Sequence, residues 1–427
     1  MKKLLLPLSV FFLLLGPKLG IFDTAVFVPA ALLMVQRPRA LKIPRGFAVF
    51  AVIVMFLICY QMVIQGVNET FAFDAVARLV RSLAQILLVG VMFGSGYDKP
   101  SSYWIRVTVG VIAVHSVIVI AGALVPEVNR LSALSIDIDR IRPYRSSGLL
   151  AGYDAAGLLS IFGLLQIVFF RSAFRSKWLS LVLCALFICA AAFASRVSFA
   201  IALVIATIWV FRFLLDKRIR FLVKMPVVFI SVLGIGFAFY YFMLIISATF
   251  SIAIPYVGAV DTSFIARRFA VYARGLPWLA NMFFLPSSPF HLFFGTGSEV
   301  AGTDVGYVRE IFRYGVFGLI VAVGAHLIFL LMGSLGRGTR VDRFNASCLV
   351  FSIMGLMFLL TFKNNYIFLR AIFPAFLIVV GAVLHNKGLC RREQQRGDEH
   401  WERVRETPFG AGVRGGPDSS ASVRGGA

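Results

Sequence analysis

Arginine is the residue through which this chain could do chemistry. It collects in four places that border apolar runs: Arg140, Arg142 and Arg145; Arg196 behind Ser195; Arg267, Arg268 and Arg274; and Arg309 with Arg313. Arginine rather than lysine dominates these groups. A guanidinium is a planar fork of N–H donors that stays charged when partly desolvated, and it meets phosphate oxygens two at a time. The chemistry on offer is anion holding, and stabilisation of the charge that develops when a phosphate group departs. Simpler readings stand beside it. Arg140 and Arg142 follow Asp137 and Asp139 and could form surface ion pairs worth about 0–1 kcal/mol. Arg145 and Arg196 sit at span ends, where long basic side chains snorkel. Arg309 and Arg313 are spaced i, i+4, so they repel unless Glu310 or an anion compensates.

A second cluster, "LFFGTGSEVAGTDVGYVREIFRYGVFGL", sets glycines at 295, 297, 302 and 306 around Asp304 and Tyr307, ahead of an apolar run. Its Gly-x-Gly follows no strand, which argues against a nucleotide loop. Asp304 lies where backbone could approach a sugar, which suits a general base. It also stands near the N-cap of the next helix, so capping is the competing role. His291 and Glu299 are rival bases. Tyr307, Tyr272 and Trp278 could line a sugar path, or serve as aromatic anchors at an interface. The five histidines and five cysteines are scattered, with no ligand spacing for a metal and no readable disulfide framework, so neither a metal nor a cofactor is expected.

The elements that must position these residues are membrane helices. Of 427 residues, 59% are hydrophobic and 15% charged, and the mean hydropathy is +0.87. No soluble domain of this size has that balance. The net charge of +22 is spread through short connections, without the aromatic-interleaved basic face of a nucleic-acid binder. At roughly 20 apolar residues per span, twelve spans are expected, near residues 4–16, 21–36, 47–66, 75–94, 103–125, 149–170, 178–194, 198–215, 226–247, 308–333, 344–362 and 365–385.

Lysine and arginine concentrate in alternate connections, "QRPRALKIPR", "RSAFRSK", "DKRIRFLVK" and "GRGTRVDR", which assigns these to the cytoplasm together with both termini. The first run contains Pro7 and is read as a retained span, since no small-x-small cleavage site follows. Residues 1–385 form a single transmembrane domain, with long outer segments at 126–148 and about 248–305. Within the second, "SFIARRFAVYARGLPWLANMFF" is too charged to span and reads as an interfacial helix. The Gly- and Arg-rich residues 386–427 are expected to be a disordered tail. On this topology every arginine group named above lies outside, against the usual bias.

At these residues the chain resembles the bacterial superfamily of O-antigen and exopolysaccharide polymerases and O-antigen ligases. The matching elements are Arg145 and Gly148 in "YRSSGLLAGYD", the Ser195–Arg196 pair, "DTSFIARRF", the FGxG element of Phe294, Gly295 and Gly297, then Asp304, Gly306 and Tyr307, and finally Tyr314, Gly315 and Gly318. They cover about residues 140–320. The resemblance implies an all-α, GT-C-like, metal-independent inverting glycosyltransferase. Its donor and acceptor would be oligosaccharides on polyprenyl pyrophosphate at the outer face of the inner membrane, with a chain-length regulator and a flippase as partners. Ligases of the superfamily usually carry a histidine after FGxG; this chain has Asp304 and Tyr307 there, which favours the polymerase.

Carried over in this way, Arg145, Arg196 and Arg268 are the expected catalytic guanidiniums, with Asp304 as base. Arg267, Arg274, Tyr307, Arg309, Arg313 and His291 are the expected substrate contacts. The rival from another class is a membrane transporter or flippase; against it stand the lack of an internal repeat and the scarcity of acidic residues in the spans, Asp154 excepted.

Overall fold

The computed structural model describes residues 2–19, 22–36, 42–94, 100–132, 146–150, 152–170, 173–174, 176–215, 282–298, 300, 303, 305–334, 340–362 and 367–383. Apolar runs in a medium without water must satisfy their own backbone, and a helix does so within one segment. The described chain is accordingly helical: α1 (Lys2–Leu15), α2 (Thr24–Gln36), α3 (Arg45–Val67), α4 (Phe73–Gly94), α5 (Ser101–Leu124), α6 (Pro126–Ser132), α7 (Tyr153–Phe169), α8 (Lys177–Ala194), α9 (Arg196–Leu215), α10 (Pro289–Phe294), α11 (Gly306–Ser334), α12 (Arg340–Leu360) and α13 (Ile372–Val383). The only strands among the described residues are two-residue pieces, Lys18–Leu19 and Phe22–Asp23, paired antiparallel between α1 and α2.

Four helices, α3, α4, α5 and α11, are long and apolar enough to cross a membrane. Shorter apolar helices lie at seven further places where spans were expected. The expected span at 226–247, the interfacial helix and the C-terminal tail lie outside the described residues. Two details differ from expectation. The long connection expected at 126–148 opens with the short helix α6. The last helix starts at Ile372 rather than near 365, which places Pro374 in its first turn, where a missing N–H costs nothing.

Burial separates the centre from the rim. Helix α7 has every residue from Ala156 to Ile167 buried, and α13 is buried along most of its length, so both are interior. Helix α3 instead exposes Val52, Met55, Phe56, Met62 and Val63, an apolar stripe suited to lipid. Helix α7 packs on α5, α8, α9 and α12, while α3 packs on α4 and α11.

Aromatic rings join the helices. Phe329 of α11 meets Phe47 edge-on at 4.9 Å and stacks on Phe50 at 5.0 Å, and Phe93 of α4 lies 4.3 Å from Trp104 of α5. The Phe93–Trp104 contact puts the end of α4 beside the start of α5. The contacts of Gln65 with Gly297, Tyr307 with Phe358, Gly148 with His115, Ser195 with Asp154 and Gln85 with Arg370 gather the finishes of α3, α5, α8 and α12 with the starts of α4, α7, α9, α11 and α13. The segment that opens with α6 and the residues just ahead of α11 attach there, and we call it the loop end.

Close approach of α7 to α8 depends on Gly163. A Cβ at that position would lie 2.7 Å from the Phe187 ring and 3.0 Å from Ile112 of α5. Gly163→Ala is expected to destabilise the protein by about 1–3 kcal/mol through overpacking, read as a lower midpoint of thermal unfolding in detergent.

Candidate functional site

The FGxG element and the Tyr-Gly-x-x-Gly element meet at the loop end. Helix α11 breaks at Gly315, whose φ of 67° and ψ of 177° are not helical. A break of this kind leaves carbonyls without their helical N–H partners, and in an apolar interior these must be answered from elsewhere. The segment after α10 answers them. Thr296 donates to the carbonyl of Phe312 from its backbone N–H at 2.6 Å and from its hydroxyl at 2.9 Å. The Tyr60 hydroxyl of α3 reaches two carbonyls, Phe294 at 2.8 Å and Tyr314 at 3.1 Å.

The contact is backbone against backbone. A Cβ on Gly295 would come within 2.6 Å of the Gly315 nitrogen and 2.8 Å of the Arg313 carbonyl. Gly295 and Gly315 also take φ of 88° and 67°, a region that side chains disfavour.

The end of α3 holds this loop from the other side. The side-chain amides of Gln61 and Gln65 donate to the carbonyl of Gly297 at 2.8 and 3.0 Å, and the Thr70 hydroxyl donates to the carbonyl of Thr296 at 2.9 Å. Asn68 links its amide nitrogen to the Gly295 carbonyl at 3.3 Å and its oxygen to His291 Nε2 at 3.2 Å. His291 is thus part of the frame that supports the loop.

The residues at the start of α11 take definite places. Arg313 and Glu310 form an ion pair of 2.6 Å with both side chains about 1% exposed, and the Arg313 guanidinium lies over the Tyr314 ring. Of the two compensators weighed for Arg313, Glu310 is the one the fold supplies. Arg309 donates from Nε to the carbonyl of Thr303 at 2.8 Å, tying the helix start to the preceding segment. The Tyr307 hydroxyl donates to the carbonyl of Phe358 at 2.7 Å, and its ring meets Phe362 edge-on. That pins the end of α12 to the loop end.

A second group stands where α7, α8 and α9 meet. The Ser195 hydroxyl donates to Asp154 Oδ1, with Ser195 almost fully buried and Arg196 half-buried at the first position of α9. Ser146 and Gly148, just after Arg145 in the chain, lie against the same region. Ser146 donates from its backbone to the carbonyl of Phe193 at 3.4 Å. Gly148 sits directly on the ring of His115, a wholly buried side chain of α5. Composition gave no hint of His115, since a lone histidine in an apolar run carries no pattern.

Arg145, Arg267, Arg268, Arg274, Glu299 and Asp304 lie outside the described residues. Two arginines that sequence reasoning passed over do not. Arg81 of α4 and Arg370, just ahead of α13, both reach the carboxylate of Asp23. They sit within or beside apolar runs, where a single charge has no pattern around it. Counting each arginine against span parity would have placed them at the loop end.

No protein-family model matches the chain, and no curated protein matches it either. Gly315→Ala is expected to lower stability by more than about 2 kcal/mol, since it adds strain at a left-handed φ and a clash with the Phe293 carbonyl. Gly324→Ala, nine residues further along the same helix with open space around it, should shift stability by no more than about 1 kcal/mol, in the stabilising direction. Thermal unfolding of the two variants side by side checks the contrast.

Proposed function

We propose that this protein polymerises oligosaccharide repeats carried on polyprenyl pyrophosphate, at the outer face of a bacterial cytoplasmic membrane, as a twelve-span GT-C-like enzyme with both termini in the cytoplasm. The observation that carries the reading is the junction at the start of α11. There the FGxG and Tyr-Gly-x-x-Gly elements, which the resemblance treats as separate signatures, pack backbone to backbone beside Arg309 and Arg313. The Ser195–Arg196 pair lies at the same end of the body, on α7 to α9.

The chemistry needs few groups. A hydroxyl of the acceptor repeat attacks the anomeric carbon of the donor chain, a new C–O bond forms, and the bond from that carbon to pyrophosphate breaks with inversion. Asp304 takes the hydroxyl proton. The leaving group departs as the lipid pyrophosphate anion, and its charge is met by guanidiniums from Arg145, Arg196 and Arg268, with Arg267 and Arg274 as further donors. No metal is required for this step, because pyrophosphate already leaves as a stable anion.

Reconstitution with a defined polyprenyl-linked repeat, followed by sizing of the product, tests the reading. The wild type is expected to form a ladder of chain lengths. Arg145→Ala and Arg196→Ala should each lower its rate by about 10²-fold or more while the proteins still insert. A normal ladder from both variants overturns the assignment. Transfer of the chain to a different lipid acceptor identifies a ligase instead. Cells lacking the protein that retain single-repeat carriers on the cytoplasmic side identify a transporter.

A further inference from the structure

We propose that Arg81 and Arg370, drawn together on the one carboxylate of Asp23, form a binding site for a phosphate or diphosphate group. The site rests on the polymerase reading only for the source of that group.

The carboxylate is already committed. Asp23 Oδ1 accepts from the backbone N–H of Ala25 at 3.0 Å, as the N-cap of α2, and the same oxygen takes Nη2 of Arg370. Its other oxygen lies 3.8 Å from Nη1 of Arg81, too far for a hydrogen bond. Arg81 is therefore held by charge alone. Two guanidiniums on one carboxylate leave one positive charge over, which favours an anion such as a phosphate or one end of a diphosphate.

The two guanidiniums are also incompletely satisfied. Nε of Arg81 and Nε of Arg370 are both buried, with no hydrogen-bond partner among the described residues. The side chains as wholes are 22% and 21% exposed, so part of each guanidinium remains reachable. Bulk water thus neither solvates these N–H groups nor shields the charge fully. An anion with several oxygens can meet the exposed part of both forks and balance the charge that Asp23 leaves over.

The geometry is held in place. Gln85, one turn after Arg81 on the same face of α4, donates from its side chain to the carbonyl of Arg370 at 3.3 Å. The backbone of Arg370 is thereby tied to the helix that carries Arg81. Both sit on the loop-end half of the body, about 12 Å along α4 from its start at Phe73.

The test uses the full chain in phosphatidylcholine nanodiscs, titrated with inorganic phosphate and inorganic diphosphate by calorimetry. Wild type should bind diphosphate saturably, and Arg81→Gln and Arg370→Gln should each weaken binding about tenfold or more. Arg106→Gln, which removes an exposed arginine of α5 bonded only to the Ser102 carbonyl, should bind as wild type does. Arg81→Lys keeps the charge without the fork and should fall between; it also keeps the test open if the glutamine variants fail to fold.

A second arm dopes the discs with phosphatidic acid. Competition with diphosphate identifies a lipid headgroup as the source, and its absence identifies a soluble or lipid-linked diphosphate. Diphosphate affinity that is absent in the wild type, or unchanged in both Arg81→Gln and Arg370→Gln, overturns the site and makes the cluster a structural ion pair joining α2, α4 and the start of α13. The two proposals fail separately. Polymer formed without this anion binding removes the site and keeps the reading, whereas anion binding that depends on Arg81 and Arg370 in a protein that makes no polymer does the reverse.

Discussion

Where water is excluded, a polar group must find its partner inside the protein, and the loop end of this molecule is organised by that demand. The break in α11 at Gly315 would strand backbone carbonyls in the interior. The Thr296 segment and the Tyr60 hydroxyl meet them, and the loop that supplies Thr296 is then itself held by Gln61, Gln65, Asn68 and Thr70 at the end of α3. An unanswered backbone group in such surroundings costs several kcal/mol. A helix bundle held mainly by apolar contact thereby acquires one well-defined polar junction, with an arginine-bearing helix start beside it.

Charge is treated by the same rule. Buried arginines are tolerated where an acid is built in beside them. Glu310 neutralises Arg313 within one turn of α11. Asp154 engages Ser195 at the start of α9. Asp23 serves a helix cap and two arginines together. The first arrangement closes its own balance and stabilises the helix start; the last leaves positive charge over, and so stands out as a place for an anion rather than as a fastening alone.

Much of the architecture was legible in the residues. The apolar runs predicted helices, and described helices occupy eleven of the twelve positions, because a segment of such composition has one low-energy form in an apolar medium. The site was legible in part. Gly295, Gly297 and Gly315 stood out as glycines near arginines, and the structure gives two of them their reason in close backbone contact. Arg313 was noted for an expected repulsion that Glu310 resolves. Arg81, Arg370 and His115 were missed because each is a lone polar residue in or beside an apolar run, with nothing periodic around it.

The sequence alone determined that this chain is helical and apolar, since hydrophobic run length acts locally and needs no knowledge of neighbours. Which side chains meet was decided only by tertiary structure. Tyr60 and Phe294 lie 234 residues apart, and Arg370 and Asp23 are 347 apart. A hydrogen bond or ion pair is effective over only a few ångströms, so the rotation and depth of each helix, set by packing of the whole bundle, selects the partners.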